Sequence, residues 1–373
     1  MKQPLRTAAF TLVEVIVASG IVVVIMGVLL AMTDQTQRLV KSTSSKVEQF
    51  QDARVGFEAL TRRLSQATLN SFWDYQYNNA GVPVGYQRSA ELRFRSGLMS
   101  NISGGNVNNA IQPGLGIFFH APNGFVSNVT QLGALDYLMN AWGYYVEIGN
   151  DLNSIPPFLT GQVTGRTRYR LMEFRQPSEN LSVYAPANQG DITNTKWISS
   201  AFTGANPPVR VMTENIVALI VLPDLSLADK KLWSQTKSGT PVLAPNYDYN
   251  SAIGGPNYKD PILNTMNQLP PVVQVVMVAI DEPSARKLQD KYGPTGKSPD
   301  KYLGIGYGTL FTDPTLLNDS STGRLGDLSN YEKNVLIPNK VSYRVFSTYV
   351  SIRGAKWSRS QTQQTQNLQA PTQ

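Results

Sequence analysis

The chain has 373 residues, with 33 lysines and arginines against 26 acids, a net charge of +7 and no cysteine. Disulfides, thiolate metal sites and cysteine nucleophiles are therefore excluded. With 41% hydrophobic and 16% charged residues, a disordered chain and a polytopic membrane protein are excluded too, and the length suits one large domain or two small ones.

Residues 1–9 form a short leader carrying Lys2 and Arg6, placed ahead of an apolar run as in a signal segment. That run, "FTLVEVIVASGIVVVIMGVLLAM" at 10–32, holds one acid, Glu14. Residues 15–32 are uncharged. As a helix they would extend about 27 Å, close to the roughly 30 Å of a bilayer core. The sequence then continues into "TDQTQRLVKSTSSKVEQF" without a small-residue cleavage site, which fits an uncleaved anchor better than an ordinary signal. Glu14 at the interface would cost little, and deeper it would cost about 2.5–3.5 kcal/mol unless partnered. Arg38, Lys41 and Lys46 balance the leader, so charge alone does not set the orientation.

From 33 to 69 the sequence is polar with a repeating apolar face. Val40, Val47, Phe50, Phe57, Leu60 and Leu64 recur at spacings of seven, three, seven, three and four, which predicts an amphipathic continuation of the helix. Lys41, Glu48, Asp52, Arg54 and Glu58 fall largely elsewhere. A helix from Phe10 to Leu69 would be roughly 90 Å long, and "STSS" at 42–45 is its weakest stretch in propensity.

Residues 70–355 read as a β-rich globular part. Strands are expected at 91–95, 143–148, 167–174, 215–222, 272–280 and 341–353. Joined by loops without helical periods, they predict an α+β fold: an antiparallel sheet packed on the N-terminal helix. The segments 97–114, 185–210, 235–270 and 291–338 read as long loops. The tail at 356–373, rich in Gln and Thr, reads as disordered.

Catalytic patterns are sparse. His120 is the single histidine and follows "GIFF", so it reads as a core or strand-end residue. Asp281 and Glu282 stand before Pro283 and read as a turn rather than an acid/base pair. Arg166, Arg168 and Arg170 alternate along an expected strand and read as a solvated face rather than a phosphate site. Asp248, Asn250 and Asp260 offer oxygen ligands for calcium, but at no EF-hand spacing. No phosphate-binding loop, nucleophile elbow or dinucleotide pattern occurs. No cofactor and no nucleic-acid partner is expected.

"AFTLVEVIVASGIVVV" resembles the N-terminal motif of type IV prepilins and pseudopilins: a small residue, Phe, Thr-Leu, an aliphatic, Glu, then an apolar helix. The resemblance implies cleavage between Ala9 and Phe10 by a prepilin peptidase, N-methylation of Phe10, and Glu14 as an assembly residue. In that role Glu14 neutralises the amine of a neighbouring Phe10. Ala9 stands where the family has Gly. Further on, "ARVGFEALTRRLSQA", "YRLMEFRQP", "ENIVALIVLP", "LPPVVQVVMVAID" and "FSTYVSIRGAKW" resemble the J-type minor pseudopilins of type II secretion. "GYYVEIGND" with "RYRLMEFRQPSENL" resembles the Verru_Chthon cassette proteins, type C. The implied protein is a non-enzymatic minor pilin or pseudopilin in filament initiation or at the tip. It would sit in the bacterial inner membrane by residues 10–32, N-terminus cytoplasmic, and then join other pilin subunits through the helix. The rivals are a surface-, substrate- or DNA-binding tip subunit and a membrane-anchored hydrolase.

Overall fold

The computed structural model describes residues 11–104, 111–135, 137–151, 155–159, 161–163, 165–204, 206–255, 260–292, 310–318 and 326–355. The chain divides into two units, Met1–Gln49 and Phe50–Gln373. Helix α1 (Leu12–Leu64) supplies the described part of the first unit and opens the second. Its backbone stays helical through 42–45. It stops short of residue 69 because its last turn tightens, Gln66 and Ala67 donating to the carbonyls of Arg63 and Leu64. Thr68 then donates to the carbonyl of His120 at 2.9 Å, which hands the chain to the sheet.

In the second unit the predicted apolar face is the packed face. Ala53, Phe57, Leu60 and Leu64 are buried and Phe50 is half-buried, while Asp52, Arg54 and Glu58 are exposed. Val40, read as part of that face, is instead 61% exposed. Burial of the face begins at Phe50, and the side chain of Val47 lies outside the described residues.

The strands are β1 (Ser71–Tyr77), β2 (Pro83–Ala90), β3 (Arg95–Leu98), β4 (Leu115–Pro122), β5 (Met139–Asn150), β6 (Thr167–Gln176), β7 (Val209–Glu214), β8 (Ile216–Asp224), β9 (Tyr249–Asn250), β10 (Val272–Ile280) and β11 (Tyr343–Ser351). Between them lie α2 (Met99–Ile102), α3 (Val129–Leu132), α4 (Lys196–Phe202), α5 (Leu227–Thr236), α6 (Glu282–Tyr292) and α7 (Asp327–Tyr331). The fold is α+β with antiparallel pairing throughout, but the strands form three sheets where one was expected. One has six strands, ordered β7-β6-β5-β4-β3-β9; one has three, ordered β11-β10-β8; β1 and β2 form a separate hairpin. The strand expected at 91–95 begins only at Arg95, because Asn70 Oδ1 takes the amides of Glu91 and Leu92 into a bend. Helices α2, α4 and α7 lie in segments read as loops, and α5 in a stretch left without an element. They are too short to show a helical period, and α5 is fixed by its cap, Ser226 accepting from Asp229 N at 3.1 Å.

Side-chain alternation along the six-stranded sheet separates two cores. Ile117, Phe119, Tyr144, Val146 and Leu171 face α1 and the three-stranded sheet. Phe118, Tyr145, Met172 and Phe174 face the other way, where α4 covers them with Trp197, Ile198 and Phe202. Strands β8 and β10 are buried along nearly their whole length, which is why "IVALIVL" and "VVQVVMVAI" are continuous rather than alternating apolar runs.

A single residue, Asn215, separates β7 in one sheet from β8 in the other. It adopts φ +62°, a left-handed conformation that asparagine tolerates better than most residues. Its N–H donates to Tyr169 of β6 at 2.6 Å, and its carbonyl accepts from Ile280 of β10 at 2.9 Å. In the second core, a Cβ on Gly143 would meet the ring of Phe118 at 2.2 Å. We expect Gly143→Ala to displace Phe118 and destabilise the domain by about 1–3 kcal/mol. Val40→Ala should leave stability unchanged. Denaturant unfolding of the full chain, followed by near-UV circular dichroism, checks both.

Candidate functional site

Helix α1 begins one residue after Thr11, so Leu12, Val13 and Glu14 fill its first three positions. Thr11 donates to Glu14 Oε2 through its N–H and its hydroxyl, each at 2.9 Å. Glu14 N donates back to Thr11 Oγ1 at 3.4 Å. This reciprocal arrangement is a capping box, set where the helix dipole favours a negative charge. Among the described residues, Oε1 of Glu14 accepts no hydrogen bond. The signature was present in the sequence as Thr-Leu-Val-Glu, beside the membrane cost and the implied assembly role read for Glu14.

From Leu12 to Val40 the helix is long and apolar enough to cross a bilayer, and every side chain from 11 to 40 is exposed. Its hydroxyls are satisfied internally: Ser19, Thr33 and Thr36 donate to the carbonyls of Ile16, Leu29 and Met32 at 2.8–2.9 Å. An apolar surrounding makes that demand of any polar group. Ala9 and Phe10 lie outside the described residues.

Within the second unit, the end of α1 is tied to the six-stranded sheet by charge. Glu173 of β6 is fully buried and pairs with both Arg63 and Arg210. Tyr144 OH lies 3.0 Å from Arg63 Nη1, and the Arg63 guanidinium lies over Trp142 at 4.4 Å. Burial, and then the charge of Glu173, push the Tyr144 hydroxyl up. The carboxylate of Glu173 is paired at both oxygens, and the cluster serves to fix the helix.

The arginine row is not a solvated face. Arg166 is half-exposed and pairs with Asp151 at 3.0 Å, but Arg168 and Arg170 are buried. Arg168 makes a two-pronged bond to Glu282, at 2.7 and 3.2 Å, and Arg170 faces Glu147 at 4.0 Å. Alternation placed Arg168 and Arg170 on one side of β6 correctly, with Arg166 just ahead of the strand, and the structure covers those two. Nor do Asp281 and Glu282 form a plain turn. Asp281 caps α6, accepting from Ser284 N at 3.0 Å, and Glu282 also accepts from Asn215 and Arg286, each at 3.0 Å. Burial alone would raise the Glu282 carboxyl, but these hydrogen bonds hold it down to about 2.

His120 is a buried core residue, as expected. Its ring lies 4.8 Å from that of Trp197 and its Nδ1 lies 3.0 Å from the Arg93 carbonyl. Burial drives it down to about 4. The calcium candidates do not converge. Asp248 pairs with Arg95, Asp260 pairs with Lys237, and Asn250 donates to the Ile192 carbonyl at 2.9 Å. Among the described residues no group of three or more His, Asp or Glu side chains could hold a metal.

No family model matches the chain, and no curated protein or solved structure matches it.

These environments give a stepped acid response. Below pH 6.5 the unfolded chain protonates His120, which the folded chain refuses until about 4, so stability falls across that window. Glu282 stabilises the fold above its ordinary value of 4.5, and that contribution is lost as pH falls towards about 2. In thermal unfolding against pH, Glu282→Gln should flatten the lower step. It should also cost about 3–5 kcal/mol at neutral pH by stranding Arg168.

Proposed function

We propose that the chain is a structural, non-enzymatic subunit of a pilin-like filament: a type IV prepilin or pseudopilin of the minor, initiating or tip class. Residues 1–9 are its leader, and a prepilin peptidase cuts between Ala9 and Phe10 and methylates Phe10. Residues 10–32 hold it in the bacterial inner membrane, with the domain outside the cytoplasm, until it joins other pilin subunits through the helix.

The observation that carries this reading is Glu14 itself. It is fixed in the first turn of a helix whose membrane-length stretch, Leu12–Val40, is exposed throughout. Among the described residues, one carboxylate oxygen serves the cap and the other takes no hydrogen bond, which suits a second group. The amine of a neighbouring Phe10 is the complementary charge, and in low dielectric such a pair is strong and costly to lose. A capping box explains the residue within one chain. It does not explain an acid in a stretch with membrane length, where aspartate or serine in the preceding position would cap as well.

Intact-mass analysis after co-expression with a prepilin peptidase should give a chain lacking residues 1–9 and methylated at Phe10; a chain that keeps Met1 overturns the reading. Two substitutions separate capping from assembly. Thr11→Ala should cost about 1 kcal/mol of helix stability and still permit crosslinking to other subunits. Glu14→Leu should insert and be processed, yet lose those crosslinks.

A further inference from the structure

The β1-β2 hairpin stands apart from both packed sheets, and its two faces differ. Register places Trp73 opposite Arg88 and Tyr75 opposite Tyr86. Tyr77 follows on the same side, its ring 6.3 Å from that of Tyr75, which lies 5.0 Å from Tyr86. Asp74, Gln76 and Gln87 take the other side. All four aromatic rings are at least two-fifths exposed. A two-stranded hairpin is marginal by itself, and this one is moored by Arg88 to the Met266 carbonyl and by Asn267 to the Arg88 carbonyl, at 3.2 and 2.8 Å.

Strand β2 ends in Ser89 and Ala90, which line a cleft of 260 Å³. This is below the roughly 300–1,000 Å³ of pockets for drug-sized ligands and leaves room for about one ring. The cleft is walled by Glu91, Arg93, Tyr184, Gln189 and Asp191, with Trp197 behind. Asp191 spends its carboxylate on the amides of Thr193, Thr195 and Lys196 at 2.8–3.0 Å, fixing the wall. Arg93 bonds the Ala90 carbonyl and forms no ion pair among the described residues. Gln189 donates to the Tyr184 carbonyl at 3.3 Å, and its Oε1 has no partner among the described residues. The two acids disfavour an anionic ligand and offset the guanidinium between them. With Asp191 held by backbone amides and Glu91 by Asn70 Nδ2 at 2.8 Å, the wall offers hydrogen-bonding groups rather than an unopposed charge, which suits a neutral molecule rich in paired donors and acceptors. A sugar ring also presents C–H groups of partial positive charge, which match the negative face of an aromatic ring.

We propose that hairpin and cleft together bind a neutral polysaccharide, its rings stacked on Trp73, Tyr75, Tyr77 and Tyr86 and its hydroxyls bonded to Glu91, Arg93 and Gln189. The site does not depend on filament assembly, since an anchored domain that never polymerises carries the same surface.

The full chain, held in lipid nanodiscs rather than a glucose-based detergent, is titrated with cellohexaose, laminarihexaose, chitohexaose and maltohexaose by tryptophan fluorescence and calorimetry. Saturable binding of at least one is expected. Trp73→Ala combined with Tyr86→Ala should weaken it about tenfold with an unchanged melting curve, because both side chains are exposed. Gln189→Ala should weaken it as well. Glu14→Leu should bind normally, which separates this site from the assembly reading. Saturable binding of none, or binding that neither set of variants alters, overturns the proposal. So does a hairpin double variant that loses crosslinking between copies of the chain while no saccharide binds, since the strip would then be a protein contact.

Discussion

Asn215 donates its backbone N–H into one sheet and accepts from the other at its carbonyl, while its side chain donates to Glu282. Glu282 in turn grips Arg168 of β6 from the start of α6. One residue of left-handed backbone and one half-buried carboxylate therefore set how β8 and β10 lie against β4, β5 and β6. The first core exists because of that placement. With β8 held there, "IVALIVL" is enclosed on both sides, and α1 closes the remaining face with Phe57, Leu60 and Leu64.

The same arrangement decides which surfaces are left over. Both faces of the six-stranded sheet are consumed, one by the first core and the other by α4 and its aromatic cluster. The described apolar surface that stays outside lies mainly in two places, the length of α1 from Leu12 to Val40 and the β1-β2 hairpin. The first is a largely aliphatic cylinder whose serine and threonine hydroxyls are bonded within the helix. The second is a narrow row of one indole and three phenol rings, beside a polar cleft. Their chemistry differs, and so do the partners that suit them.

Much of the strand order was legible, because burial writes itself into composition. Continuous runs such as 272–280 could only be enclosed strands, and the helical face from Phe50 onward followed from its spacing. What escaped notice depends on pairing across the chain. Arg168 and Arg170 look solvated until Glu282 and Glu147, distant in sequence, are brought beside them. The hairpin at 71–90 escaped because it alternates aromatic with polar residues, a pattern that signals a half-buried strand and here belongs to an unburied one. At Glu14 the capping signature was readable from four adjacent residues, yet the electrostatic cost of the acid drew attention first.

The buried cluster around Glu173 has a mechanical corollary. Arg63 stands in the last turn of α1, and Glu173 ties it to the middle of a sheet whose neighbouring strand contributes Arg210. Tension arriving along the helix would meet this double ion pair before it reached any loop. It would be spread over β6 and β7 as shear across antiparallel hydrogen bonds, which yield together rather than singly. A domain towed by its own N-terminal helix would thus be pulled through its six-stranded sheet, at a carboxylate that water does not reach.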